Sequence, residues 1–204
     1  MAMVQQHRSV EERRDQLVDA ALSVLRTQGL RAVTTRAVTE AAGLPHGAFH
    51  YCFATKTELF RAVLDRQVRA TTAAAFAPSS SELGPVQRIA AGLRAHLDRI
   101  QADPDTALSL LELQAHSRRE ADLRELTEWD QREYFLAVTT HVTRWATGEG
   151  FRWVTSPEHV ARLLVAAADG IATAWLNDRD DGGAEATVLL AATTIATLSE
   201  RSAP

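Results

Sequence analysis

Apolar side chains return every three or four positions along nearly the whole chain, and nowhere do β-branched residues sustain an every-second-residue run. That rhythm gives successive helices one buried face each and leaves no pattern for a sheet, so the spacing predicts an all-α fold of about nine helices. Leu17, Ala20, Ala21, Val24 and Leu25 share one face of the first, which stops at Gly29. A short second helix starts at Thr34-Thr35, good capping residues, and runs to Ala42 before Gly43; a shorter third follows Pro45 and reaches Tyr51. Thr55-Lys56-Thr57-Glu58 has the form of a capping box and opens a fourth helix through Leu59, Phe60, Val63 and Leu64 to Ala75.

Residues 77–85, APSSSELGP, read as a loop. Beyond it, Ile89, Leu93, Leu97 and Ile100 mark a fifth helix, and Asp103-Pro104 and Ser156-Pro157 repeat a cap-then-proline signal for the sixth and eighth. A seventh spans 122–147, and Gly182-Gly183 separates the eighth from a ninth that runs through Val188, Leu189, Ala192 and Ile195. Charge changes sign near the loop. Residues 1–69 hold ten Lys and Arg against seven Asp and Glu, a net of +3, whereas residues 70–204 hold twelve against nineteen, a net of −7. A basic segment on an acidic body suits a localised contact with a polyanion.

The longest strictly apolar run, LLVAAA at 163–168, is too short to span a bilayer, and no signal-peptide pattern opens the chain, so a cytoplasmic protein with no membrane contact is expected. The single cysteine, Cys52, excludes an intramolecular disulfide and a cysteine-based zinc cluster, and no cofactor or metal is expected. Lys56 is the one lysine beside twenty-one arginines, an imbalance that a GC-rich genome explains.

Two short helices joined through Gly43-Leu44-Pro45 and braced by a longer one outline a helix-turn-helix over residues 34–53. The run QLVDAALSVLRTQGLRAVTTRAVTEAAGLPHGAFHYCFATKTELF closely resembles the DNA-binding domain of the TetR/AcrR family of transcriptional regulators. It has the helix ending in Gly, the Thr-Thr start, the Ala-Gly turn, the Gly-x-aromatic recognition helix and the Phe-x-Thr-Lys that follows. The resemblance implies a DNA-binding domain at 11–68 and an effector-binding and dimerisation domain at 69–204, with the boundary inside the fourth helix.

Gly47 and Ala48 are small enough for the third helix to approach base edges, while Phe49 and Phe53, four apart, point back to the core. His50 and Tyr51 then face outward. His50 stands where the family resemblance implies a phosphate-touching tyrosine, and Cys52 where it implies a histidine or tyrosine, so the phosphate contacts depart there in detail. Thr34, Thr35 and Arg36 open the second helix, where N–H groups and hydroxyls can hold a phosphate, although N-capping alone also accounts for the threonines. His46 lies beside the turn. Lys56, at the first position of a helix, opposes the helix dipole unless a phosphate sits there as well.

For the body, the resemblance implies a cavity among the fifth to eighth helices and a four-helix dimer bundle built from the last two of each subunit. His96, His116, Trp129, Phe135, His141, Trp145, Asp169 and Trp175 are the candidate pocket residues for an apolar or aromatic effector, each of which core packing also explains. Ala168, Ala172, Ala192, Ile195 and Ala196 are the candidate dimer residues, small enough for close helix approach. The partners expected are a pseudo-palindromic double-stranded DNA operator, a small-molecule effector and a second copy of the chain, in the service of repression. The alternatives are a ligand-blind DNA-binding regulator under a protein partner and an all-helical enzyme. No H-E-x-x-H, phosphate-binding loop or nucleophile-elbow motif is present, and the Asp178, Asp180 and Asp181 group reads as a turn rather than as catalytic carboxylates, so no catalytic residue is expected.

Overall fold

The computed structural model describes residues 9–77, 83–149 and 151–201, and within them the expected helices form. They are α1 (Val10–Gln28), α2 (Thr35–Ala41), α3 (Gly47–Cys52), α4 (Lys56–Ala75), α5 (Pro85–Ala102), α6 (Pro104–Arg119), α7 (Arg124–Glu149), α8 (Pro157–Asp178) and α9 (Asp181–Ala196), with short 3₁₀ turns at Leu30–Ala32 and Ala121–Leu123. Their starts have local causes. Ser9 accepts from Glu12 N–H while Glu12 reaches back to Ser9 N–H, a reciprocal cap that opens α1. Ser156 and Asp180 accept from His159 and Gly183 N–H at the starts of α8 and α9.

The chain forms two units. One holds the residues up to Arg66 together with Asp105–Glu128, and the other holds Gln67–Pro104 with everything from Trp129 onward, so α4 contributes to both. The first unit packs α2 and α3 on α1. Leu17, Val33, Val38, Phe49, Phe53, Leu59 and Phe60 are fully or almost fully buried, and each such side chain contributes about 1.5–3 kcal/mol of transfer free energy. In the second unit α5 packs on α8 and α9, and α8 on α9. Ile89, Leu93, Val138, Val142, Val160, Val165 and Val188 are buried there.

Three features depart from the sequence reading. A two-stranded antiparallel ribbon, β1 (Phe151–Trp153) with β2 (Ser199–Arg201), follows α7 and closes after α9. Three residues per strand are too few to show alternation. Trp145, Phe151 and Trp153 pack edge to face with ring centroids 5.0–5.3 Å apart, and Trp153 Nε1 donates to the Val142 carbonyl at 3.2 Å. Secondly, Gly182 and Gly183 lie in the first turn of α9 rather than between helices. Arg179, at φ 58°, turns the chain instead, and Asp180 is left to cap α9.

Thirdly, α8 is, by length and composition, long and apolar enough to cross a membrane, which a count of uninterrupted apolar residues misses. Arg162 and Asp169 break the run without making the helix polar on average. Its inner face, with Val160, Ala161, Val165, Ala168, Ile171, Ala172, Trp175 and Leu176, is buried. Its outer face carries small and apolar residues, including Leu163, Ala166 and Ala174. Helix α9 shares this character, burying Ala184, Val188, Ala192 and Ile195 and exposing Ala186, Leu189 and Leu190.

Candidate functional site

Gly43, at φ +63°, makes the turn between α2 and α3, a backbone conformation that disfavours any residue with a Cβ. Phe49 and Phe53 insert beneath α3 as their spacing predicts, and this fixes which face is left outside. His46, Gly47, His50 and Tyr51 are exposed, Tyr51 by 66%, with Ala48 half-buried beside them. The His46 and His50 rings meet edge-on at 6.1 Å. Cys52 is buried on the opposite side of α3, where burial pushes its thiol pKa up against the pull of Arg13 and Arg14, so this thiol belongs to the core and not to the outer face.

Thr34 caps α2, its Oγ1 accepting from Ala37 N–H at 3.1 Å, and Thr35 is half-buried with its carbonyl accepting from Thr39 Oγ1. A capping hydroxyl still has its own O–H to donate. Arg36 is exposed and lies along α2 in an ion pair with Glu40 at 2.9 Å, which raises its pKa. At the start of α4, Thr55 Oγ1 accepts from Glu58 N–H at 3.1 Å, while Glu58 accepts from Ala54 N–H at 2.9 Å, one residue earlier than a capping box predicts. That backbone bond, helped by Arg14, lowers the Glu58 pKa. Lys56 is exposed, with Nζ 5.2 Å from the Phe60 ring centroid.

Sequence reasoning missed the brace that holds these parts. Arg14, in α1, donates to the Cys52 carbonyl at the end of α3 and to Glu58 at 3.1 Å, with its guanidinium 4.2 Å over the Phe53 ring. Gln16 donates to the Ala42 carbonyl at 2.6 Å in the α2–α3 turn. Both contacts join residues tens of positions apart, and nothing in local spacing announces them.

The second unit holds a half-open cavity of about 360 Å³. Its walls come from the end of α4 (Thr71, Ala75) and Phe76 just past it, from α5 (Arg88, Ile89, Gly92, Leu93, His96), from α7 (Tyr134, Val138, His141, Arg144, Trp145, Gly148) and from α8 (Leu164, Val165, Ala168). His96, His141 and Trp145, all expected, are brought together here. Burial and the nearby Arg99 push the His96 pKa down to about 4, and its Nδ1 is buried with no hydrogen-bond partner among the described residues. Burial and Arg144 lower that of His141, whose ring stacks on Phe76 at 4.4 Å. Burial raises that of Tyr134, with Asp169 and Asp130 adding to the effect, so its hydroxyl stays protonated.

The other expected pocket residues lie off this lining. His116 is exposed on α6, in the first unit. Phe135 sits under the Arg162 guanidinium at 4.6 Å, Trp129 is half-buried, and Asp169 is exposed. Trp175 is buried and its Nε1 donates to Asp181 at 2.7 Å, while Arg179 covers its ring, so it fixes the α8–α9 turn. Tyr134, Val138, His141, Trp145 and Gly148 recur at intervals of three and four, a stripe that could have been found by phasing α7 as one helix. Of the expected dimer residues, Ala168, Ala172, Ala192 and Ile195 are buried within the chain and Ala196 is half-buried.

Two family models match: the tetR family of bacterial regulatory proteins over residues 17–63, and the C-terminal region of BetI-type transcriptional repressors over residues 85–200. The HTH-type transcriptional regulator BetI of Rhizobium meliloti is 30% identical over 114 residues, 56% of each chain, so the chain spans little more than half the length of that curated relative. Among solved structures, a transcriptional regulator from Rhodococcus sp. Rha1 superposes with a TM-score of 0.72 at 21% identity, covering 91% of this chain and 97% of the other. The multidrug binding protein EbrR, complexed with imidazole, does so with a TM-score of 0.65 at 27% identity, covering 90% and 94%.

Proposed function

Since the chain belongs to the tetR family of bacterial regulatory proteins and carries a BetI-type C-terminal region, we propose that it is a DNA-binding repressor released from its operator by a small effector. Residues 11–68 read DNA, with His46, Gly47, Ala48, His50 and Tyr51 toward the major groove and Thr34, Thr35, Arg36 and Lys56 toward phosphates. Residues 69–204 hold the effector and the dimer contact. The homodimer sets two reading helices on a pseudo-palindromic operator, and the exposed faces of α8 and α9, rather than their buried alanines, supply its interface. The working compartment is the cytoplasm, and no catalytic step is assigned.

The observation that carries this reading is the division of α4. Its first residue, Lys56, adjoins the helix-turn-helix, and its last turns place Thr71 and Ala75 in the cavity wall, with Phe76 just beyond them. A ligand that prefers one position of those last turns shifts the population between DNA-competent and DNA-incompetent states, and about 1–3 kcal/mol of preference gives useful control. The multidrug binding protein EbrR, a structural relative complexed with imidazole, supports a ligand in this fold.

The test is fluorescence anisotropy with a DNA site selected from a random library, at several salt concentrations and across a panel of apolar and aromatic compounds. A palindromic selected site, affinity that falls steeply with salt, and release by at least one compound are expected. A flat salt response removes the DNA-binding reading, and release by none of a broad panel removes the effector.

A further inference from the structure

The His96 imidazole lies on the cavity wall with its hydrogen bonding incomplete. Ile89, Gly92, Leu93 and His96 occupy positions i, i+3, i+4 and i+7 of α5, so the imidazole continues the stripe that faces the cavity. Its Nδ1 is buried and has no hydrogen-bond partner among the described residues, whereas Nε2, also unbonded to them, is not sealed in the same way. Burial, with Arg99 adding to the effect, keeps the ring neutral near pH 7, so one proton serves two nitrogens. A proton on Nδ1 would strand a donor inside the protein. On Nε2 it leaves only a lone pair inside and gives the donor to the accessible side, which assigns the Nε2–H tautomer.

The aromatic part of the wall suits a flat ring. Phe76 and His141 stack in parallel at 4.4 Å, and Trp145, one turn after His141 on the lining, is held edge-on by Phe151 and Trp153. Tyr134, whose hydroxyl keeps its proton, is a second lining group able to donate. We infer that the cavity takes a flat aromatic molecule bearing a hydrogen-bond acceptor, a ring ketone or an aza-aromatic nitrogen, which lies along this wall and accepts from His96 Nε2–H. The inference rests on the effector reading above and adds the polarity of the contact that selects the effector. A volume of about 360 Å³ accommodates roughly two or three fused rings. A ligand of the same shape without an acceptor buries Nε2–H unpaired, and one that offers an N–H instead sets donor against donor. Either loses the hydrogen bond and still desolvates the imidazole.

Matched sets of nearly one shape test this on the full chain, by calorimetry and thermal shift at about pH 8: 9-fluorenone, which accepts, carbazole, which donates, and fluorene, which does neither, with quinoline, indole and naphthalene as a smaller set of the same kind. The acceptor of each set is expected to bind at least about tenfold more tightly than its two companions, a ranking read on the unaltered chain. His96→Leu is expected to remove most of the fluorenone advantage while fluorene binds no more weakly, and Tyr134→Phe to preserve most of it. Should carbazole or fluorene bind as tightly as fluorenone, or should the advantage survive His96→Leu in a chain that still melts cooperatively, the assignment of His96 falls and the effector reading stands. Binding by no member of either set overturns the assignment and counts against the cavity as a receptor site.

Discussion

Lys56 opens a helix in which a cation is unfavourable by a few tenths of a kcal/mol, and its ammonium rests 5.2 Å from the Phe60 ring centroid. Such a charge is placed to meet a phosphate together with the helix N–H groups. Lys56→Ala is expected to weaken specific and non-specific DNA binding by similar factors and to leave the melting temperature and effector affinity unchanged. An anisotropy titration on both kinds of DNA checks it, and a change in sequence preference at constant affinity would falsify the assignment. His96 yields a different prediction. Its pKa is depressed from the ordinary 6.5 to about 4, so between those values the unfolded chain binds a proton that the folded chain does not. Stability from this group is complete above about pH 6.5 and is lost as pH falls toward 4, by up to about 3 kcal/mol. His96→Leu should flatten that part of the stability profile in urea titrations from pH 7 to 4.

Among the helices, the first four were legible because each carries its own start and stop: Gly29, Thr34, Gly43 and Thr55 act locally, and Phe49 and Phe53 settle which face of α3 is buried. Helix α7 was legible as a helix but not in phase. Apolar residues occur around much of its circumference, so Phe135 looked equivalent to Tyr134, one position and about 100° away, yet only Tyr134 lines the cavity. The same ambiguity moved the expected dimer residues to the inner faces of α8 and α9. Close approach of two elements is equally invisible in sequence. A Cβ at Gly92 of α5 would lie 2.8 Å from the Ala75 carbonyl oxygen in the last turn of α4, so one of them must move. Gly92→Ala is expected to destabilise the fold by about 1–3 kcal/mol, to lower operator affinity without any effector, and to blunt the effector's action. Unchanged affinity in a variant that melts lower would detach the end of α4 from the switch.

The whole protein turns on surfaces that the single chain leaves open. Leu189 and Leu190 are 54% and 69% exposed and Leu163 is 42% exposed, a run of apolar contact on the two helices that the proposed dimer covers. Leu190→Glu is expected to give a monomer in sedimentation, with a lower melting temperature and operator affinity reduced at least a hundredfold. A dimer that persists with normal affinity would place the interface elsewhere. An α9 with apolar residues on both sides has a further consequence for the cell. In the proposed dimer a protomer is at its most stable when paired with a second copy, so stability and DNA occupancy both rise with the amount of protein made. Below the dissociation constant of the pair, halving synthesis lowers the DNA-binding species about fourfold, because its concentration follows the square of the protomer's. In that proposed dimer the regulator's own expression level acts as a second input beside the proposed effector, and a fall in protomer concentration releases DNA without any ligand.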